Sequence, residues 1–473
     1  MAAGAWSAQE GLKRIEHHEI FVLGADGHTQ RIGKSVFLDL TQDDPPRLEE
    51  LVGLDRRMAV GLWEMHEKEI RDARRDGESE LRQSLGHAPP LAASPDFIHA
   101  DGKRLVDGRG ETFIVKGINL GNWLVPEGYM FKFKQARSPS EISGFFDTLI
   151  GPEGASRFWV KFREVYITED DVRFIKAAGF NTVRVPLNWR LFEGPGDEPA
   201  DHYGAPGWPL LDRLVQWCRE ADLRVIVDLH AAPGGQTGVN HDDGPGYPLT
   251  FYVPRNRQRT IALWQKLAAR YHAETAILGY DLLNEPISPY SDVEYLNPQL
   301  EPLYRDIVAA IRSVDQNHVV LLEGAQWGTN FAVFNRPFDA NAAYTYHKFW
   351  INPTRDGLQS YLDFSNRWNI PVFIGETGEF NNGWNDKFHR LQERFGLGWC
   401  FWPYKNLDSD LSVVSIEKPA GWDLIAEAGS SASAPLPARE QAQAIVNAYL
   451  EAAKFKNVRV NADYINSLGL SVP

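Results

Sequence analysis

From about residue 113 to residue 453 the chain alternates short apolar runs with amphipathic stretches, and this constrains the fold more than any other feature. The runs are 113–120, 181–186, 224–230, 277–284, 318–323, 343–347, 372–376 and 398–402, most of them bounded by Gly, Pro, Asn or Asp. Each is too short for a helix and apolar on both faces, as expected of a buried parallel strand. Between them, apolar residues recur at three and four over 168–178, 208–222, 256–272, 299–314, 356–368, 385–395 and 437–453, which predicts helices. Eight strands alternating with helices over about 350 residues predict an α/β protein of the (β/α)8 TIM-barrel class. A doubly wound open sheet is the structural alternative. Polar residues cluster at the strand ends (Asn119, Arg184, His230, Glu285, His347 and Glu376). That pattern favours the barrel, in which all eight carboxyl ends converge on one mouth.

The 473 residues hold one large domain and additional material. Residues 1–95 read as an N-terminal extension: short strands at 19–24 and 35–40, then a charged helix over about 47–85 with apolar Leu48, Leu51, Leu54, Met58, Leu62 and Met65 along one face. That face is expected to pack on the barrel, with an oligomer contact as the alternative. Pro89, Pro90 and Pro95 mark the boundary. Residues 96–455 form the barrel domain and 456–473 a C-terminal tail. A net charge of −14 argues against a nucleic-acid partner. No run approaches the ~18 apolar residues that a membrane-spanning helix needs. Cys218 and Cys400 are the only cysteines, and each sits in an apolar pattern, so no disulfide framework is present. With no secretory signal visible in the first residues, a cytoplasmic location is expected.

Two glutamates end buried strands: Glu285 in Asn284-Glu285-Pro286 and Glu376 in Gly375-Glu376-Thr377. A pair of carboxylates facing one cleft is the equipment of glycosidic bond cleavage, one as acid/base and the other as nucleophile or base. Glu285 is the candidate acid/base, projected by the turn that Pro286 fixes. Glu376 is the candidate nucleophile, and a nucleophile must stay ionised, for which Arg184 is the expected cation. His230 and His347 are placed to contact sugar hydroxyls or the glutamates, and Asn284 to donate to a hydroxyl beside the reacting carbon. Trp402, in Phe401-Trp402-Pro403-Tyr404-Lys405, is the expected platform under the sugar. The excess of aromatics (15 Trp, 16 Tyr, 25 Phe) suits a saccharide cleft. Long loops follow strands 1, 3 and 8; their aromatics (Trp123, Tyr129, Phe131, Phe133, Tyr247, Phe251, Tyr252) are expected to narrow the groove to a pocket. Asp228, His230, His241, Asp242, Asp243 and His347 are also metal-ligand types, but their spacing matches no zinc pattern. Neither a metal nor another cofactor is expected.

The order Arg184, His230, Asn284-Glu285-Pro286, His347, Glu376, Trp402 resembles glycoside hydrolase family 5, of the cellulase superfamily of retaining (β/α)8 glycosidases. The resemblance covers about residues 100–450. Gly117-Ile118-Asn119-Leu120-Gly121-Asn122-Trp123-Leu124 and Asp228-Leu229-His230-Ala231-Ala232-Pro233-Gly234-Gly235-Gln236 are most similar to its exo-β-1,3-glucanase and β-glucosidase branch. The resemblance implies that Glu285 is the acid/base and Glu376 the nucleophile. It implies that Arg184, His230, Asn284, His347, Tyr346, Trp402, Asn119, Trp123 and Lys405 support them or the substrate. In that family a tyrosine usually follows the strand-six histidine by two places and contacts the nucleophile. Phe349 stands there in this chain, and Tyr346 and Tyr404 are the candidates to replace the lost hydroxyl. The expected activity is retaining hydrolysis of β-glucosidic bonds at β-glucan ends or in small β-glucosides, with an oligosaccharide or small glycoside as partner. Alternatives are an endo-β-1,4-glucanase, a β-mannosidase or glycolipid glycosidase, and a non-catalytic saccharide-binding barrel.

Overall fold

Eight parallel strands close into a barrel: β1 (Lys116–Asn119), β2 (Thr182–Asn188), β3 (Arg224–Ala231), β4 (Ile277–Asp281), β5 (Val319–Glu323), β6 (Ala342–His347), β7 (Val372–Gly378) and β8 (Trp399–Trp402). Each pairs with the next, and β8 pairs with β1. All eight expected strands are present. The computed structural model describes residues 97–192, 207–431 and 433–473, and pairs Val22–Leu23 with Thr29–Gln30 in the backbone. The expected strand at 35–40, the helix at 47–85 and the boundary prolines lie outside the described residues.

Strand periodicity divides the side chains between two cores. In β3, Val225, Val227 and Leu229 join the large apolar layer between barrel and helices, whereas Ile226 belongs to the small core inside. That inner core also contains Ile98, Leu105, Val115, Leu278, Val319, Leu321, Ala343, Phe373 and Cys400. A hairpin of His99–Asp101 and Arg104–Val106 brings Ile98 and Leu105 to it and closes the floor. The barrel interior is therefore apolar at its base, and its charged layer lies above, at the carboxyl ends.

Seven helices fall where the 3.6-residue pattern puts them, among them Glu169–Ala177, Pro254–Tyr271 and Asn382–Arg394. The loop after β1 holds two more, α1 (Pro139–Ile150) and α2 (Pro152–Val165). Ser138 and Glu141 form a capping box at the start of α1, and a proline occupies the first position of each helix. No long helix follows β5, and residues 324–333 make a tight turn in which Gln326 and Trp327 are left-handed. The C-terminal residues join the barrel: Arg459–Val460 pairs with Val414–Ile416, and Tyr464, Ile465 and Leu468 are buried. Among the described residues, no helix is long and apolar enough to cross a membrane.

Most aromatics expected at the mouth serve as loop core instead. Trp123, Phe131, Phe133, Phe251 and Tyr252 are buried. Phe131 and Phe133 pack with Phe146, Trp159, Phe162, Trp422 and Tyr449, fastening α1 and α2 to the C-terminal helix Arg439–Ala452. Of those seven, Tyr129 alone is exposed. A long loop needs an apolar interior of its own, and in this chain the aromatics supply it.

Between β4 and β5 the barrel has no room for a side chain at Gly279. A Cβ on Gly279 in β4 would lie 2.4 Å from the Val319 carbonyl oxygen of β5. Gly279→Ala is expected to lower stability by about 1–3 kcal/mol, read as a lower urea midpoint with an unchanged slope.

Candidate active site

Arg184, on β2, sits inside the barrel and is fully buried. Its guanidinium contacts a carboxylate from each of four other strands: Asp228 at 3.2 Å, Asp281 at 2.8 Å, Glu323 at 3.1 Å and Glu376 at 2.5 Å. The side-chain oxygens of Asn119 (3.1 Å) and Asn284 (2.9 Å) accept its remaining bonds. Register builds this layer, since β1 sets Asn119 beside Arg184 and β6 sets His347 beside Glu376. Asn119 in turn donates to the Gly375 and Phe401 carbonyls, tying β1 to β7 and β8.

Glu285 lies just beyond β4 with a left-handed backbone, φ 46°. A non-glycine residue pays for that conformation, and the surroundings hold it there. Its amide donates to Glu323 Oε2 at 2.8 Å. Gln236, from the loop after β3, donates to the Asn284 carbonyl, and its own backbone carbonyl accepts from Ile287. The carboxylate is thereby aimed at the mouth, where one of its oxygens comes within 4.8 Å of one from Glu376.

The two strand-end histidines carry different charges. His347 Nδ1 lies 3.0 Å from Glu285 Oε1 and 3.8 Å from Glu376 Oε2, while Nε2 lies 3.0 Å from Glu323 Oε1. Burial opposes its charge, but Glu323, Glu376 and Glu285 together raise its pKa well above the usual value, so it is an imidazolium. His230 has Asp228 at 2.8 Å and the Asn284 amide nitrogen at 3.3 Å. Burial lowers it to about 3, so its ring is neutral and stacks on Trp402 at 5.7 Å and 9°. Trp402 donates its indole N–H to Tyr129, and its far edge fills the space that a Cβ on Gly121 would need. Asp228, His230 and Glu376, and likewise Glu285, His347 and Glu376, bring ligand-type atoms together. Arg184 or His347 already supplies positive charge at each of those places.

Burial raises Glu376 while His347, Arg184 and His230 pull it back, leaving it raised on balance. Burial raises Glu285 as well, but His241 and His347 outweigh it and hold this carboxyl well below the ordinary range.

Three supporting residues expected at the site lie elsewhere. Trp123 is buried, with its indole N–H on the Arg163 carbonyl. Lys405 is buried against Asp171 at 2.7 Å and donates to the Tyr166 and Ala453 carbonyls. Tyr346 bonds Gln392 and stacks on Tyr361 at 3.9 Å. The reason is strand parity: His347 faces inward, so its neighbour faces the helices. Tyr404 bonds Asp171. Neither tyrosine replaces the hydroxyl lost at Phe349; Glu376 is held by Arg184, with His347 and His230 at 3.8 and 3.9 Å.

The model of the family described as Cellulase (glycosyl hydrolase family 5) matches residues 144–408, more than half of the chain. A β-xylosidase from Phanerodontia chrysosporium is 32% identical over 352 residues, covering 66% of this chain and 71% of that protein. The chain belongs to glycosyl hydrolase family 5. A probable glucan 1,3-β-glucosidase A from Aspergillus fumigatus is 30% identical over 227 residues, covering 46% of this chain and 53% of the relative. A probable glucan endo-1,6-β-glucosidase B from Aspergillus flavus is 25% identical over 340 residues, covering 65% and 82%. The family 5 chain thus spans about half the length of the 1,3-β-glucosidase and more of the other two.

This family 5 hydrolase also gathers residues that motif reading passed over. Glu127, in the loop after β1, and Glu379, three residues after Glu376, both interact electrostatically with Glu376, and His241 approaches Glu285 at 3.2 Å. The available signal was an isolated acid in an apolar loop, as in Leu124-Val125-Pro126-Glu127. Burial, reinforced by neighbouring carboxylates, raises Glu127 to about 8; burial likewise raises Glu379 to about 7. Between the unfolded value near ~4.3 and those values the native state binds more protons than the unfolded chain, so rising pH destabilises it. The melting temperature is expected to fall from pH 5 to pH 8, and the Glu127→Gln, Glu379→Gln double variant to flatten that slope. An equal slope in both proteins would remove these two carboxyls as its cause.

Proposed function

We propose that this chain is a retaining β-glycosidase that removes single sugars from β-glucan ends or small β-glucosides. As a family 5 hydrolase it acts on glycosidic bonds. The observation that carries the retaining reading is the proximity of Glu285 and Glu376, whose nearest oxygens lie within 4.8 Å. Retaining enzymes hold the two carboxyl groups about 5–5.5 Å apart, and inverting ones roughly 6.5–9.5 Å to admit a water. Glu376, 2.5 Å from Arg184, attacks the anomeric carbon. Glu285 gives a proton to the departing oxygen, then takes one from the water that releases the sugar. Trp402, stacked on His230, offers its ring beneath the sugar.

The exo reading is supported by the large loop after β1, which carries α1 and α2, and by Tyr129, Tyr290, Trp350 and Phe380. All four are exposed on loops at the carboxyl ends of the strands. A β-xylosidase is the second reading, favoured by the 32% identity to a protein of that name.

Hydrolysis of 4-nitrophenyl β-glucoside and β-xyloside separates the two sugars, and the products of a β-1,3-glucan separate exo from endo action. Glucose without longer oligosaccharides is expected, and an early ladder of oligosaccharides would overturn the exo reading. The first product seen by NMR should be the β-anomer; the α-anomer would mean inversion. Glu376→Gln and Glu285→Ala are each expected to cost at least ~1,000-fold in kcat/KM on an alkyl β-glycoside, whose poor leaving group needs acid help, with melting near wild type. Near-full activity in either variant would sink the assignment.

A further inference from the structure

Each oxygen of Glu285 lies close to an imidazole nitrogen. His347 Nδ1 lies 3.0 Å from Oε1, and His241 Nε2 lies 3.2 Å from Oε2. His347 is committed to Glu323 and Glu376 as well and stands on a barrel strand. His241 sits on the loop after β3 with 18% of its side chain exposed. That loop is held in shape on both sides of the histidine. The Asp242 carboxylate accepts from the amides of Thr237, Gly238 and Gly244 at 2.7–2.8 Å. The Asp243 carboxylate accepts from the Ser140 amide and the Asn188 side chain. The imidazole is thus fixed against the acid/base, although the mechanism so far gives it no task.

We propose that His241 is a positioning residue that stores the proton of the acid/base: at rest the pair is imidazolium and carboxylate, and the proton returns to Glu285 as the glycosidic bond breaks. The titratable groups facing His241 are Glu285 after β4, Glu127 after β1, its neighbour Asp242, and the His230 ring on β3 at 6.1 Å. Burial disfavours the imidazolium, but Glu285, Asp242 and Glu127 outweigh it and raise His241 to about 9. The same charge keeps Glu285 ionised. A carboxylate cannot act as an acid, so Glu285 needs a nearby source, and His241 Nε2 is within reach. The balance closes over one turnover. The proton passes from Nε2 to the carboxylate and then to the leaving oxygen, leaving His241 neutral. In the second half Glu285 takes a proton from water, which restores the pair.

This inference rests on the glycosidase reading. Activity of the wild type on neither an aryl β-glucoside nor an aryl β-xyloside would end that reading before His241 is tested. With activity established, kcat/KM is measured against pH for wild type, H241Q and H241N, on an alkyl β-glycoside and its 2,4-dinitrophenyl counterpart. The wild-type alkaline limb should fall near pH 9, where the pair sheds its last proton from His241. In the variants this store is gone, and because His347 is tied to Glu323 and Glu376 as well, the limb should move down by about two pH units or more. The alkyl glycoside, whose leaving group needs acid help, should lose about tenfold more than the dinitrophenyl one. An unmoved limb, or equal losses on both substrates, would overturn the proposal. If neither variant folds, the carbon-13 NMR titration of the His241 ring in the wild type decides: a ring still protonated at about pH 7.5 supports the store, and a neutral one overturns it.

Discussion

One buried arginine organises the catalytic end of this barrel. Arg184 touches carboxylates from four other strands and the side chains of Asn119 and Asn284, so six side chains from five other strands and the turn after one of them meet on a single planar group. A guanidinium suits this because it presents donors in a fixed plane and stays charged under any surroundings the protein can build. Four acids around one cation exceed what it can neutralise. The excess is absorbed as protons, with burial raising Asp281 well above its usual value and Asp228 to about 7. Removing one partner from such a cluster is costly, about 3–5 kcal/mol for a buried pair, because an uncompensated charge remains. Glu376 therefore takes its position from the same contacts that hold the barrel end together.

Glu285 is arranged by different means. It stands beyond the regular strand, in a left-handed turn fastened by Glu323 and Gln236, and its carboxylate faces two imidazoles. The resting state thus has an ionised Glu285 and a raised Glu376, the reverse of what the first step of the proposed reaction requires. In a coupled cluster the protons belong to the group rather than to its members. Displacement of cleft water by a sugar would change the dielectric around every one of these charges, so the resting distribution is a starting point for the reaction.

Much of this was legible in the chain. Eight apolar runs and the helical periods between them determine a barrel because period and length leave few other arrangements. Strand-end polar residues then mark the mouth. The start of the loop helix α1 is also legible, in the capping box of Ser138-Pro139-Ser140-Glu141, whereas the partners of the loop's aromatics are not. The outward direction of Tyr346 is likewise legible, because a strand residue next to an inward histidine points to the other face. Glu127, Glu379 and His241 were harder to find, because an acid or imidazole in a loop acquires meaning only from what folds against it.

The sequence by itself determined the barrel, the two glutamates and the arginine beside them, since strand periodicity and the cost of burying charge act locally or through simple parity. Tertiary structure alone decided which aromatics became loop core, which lysine and tryptophan were withdrawn from the mouth, and which histidine met Glu285. Those outcomes depend on residues far apart in the chain, such as Phe131 with Tyr449 or His241 with Glu285. The energy of such contacts depends on distance and burial, and these exist only after the loops have closed over the barrel.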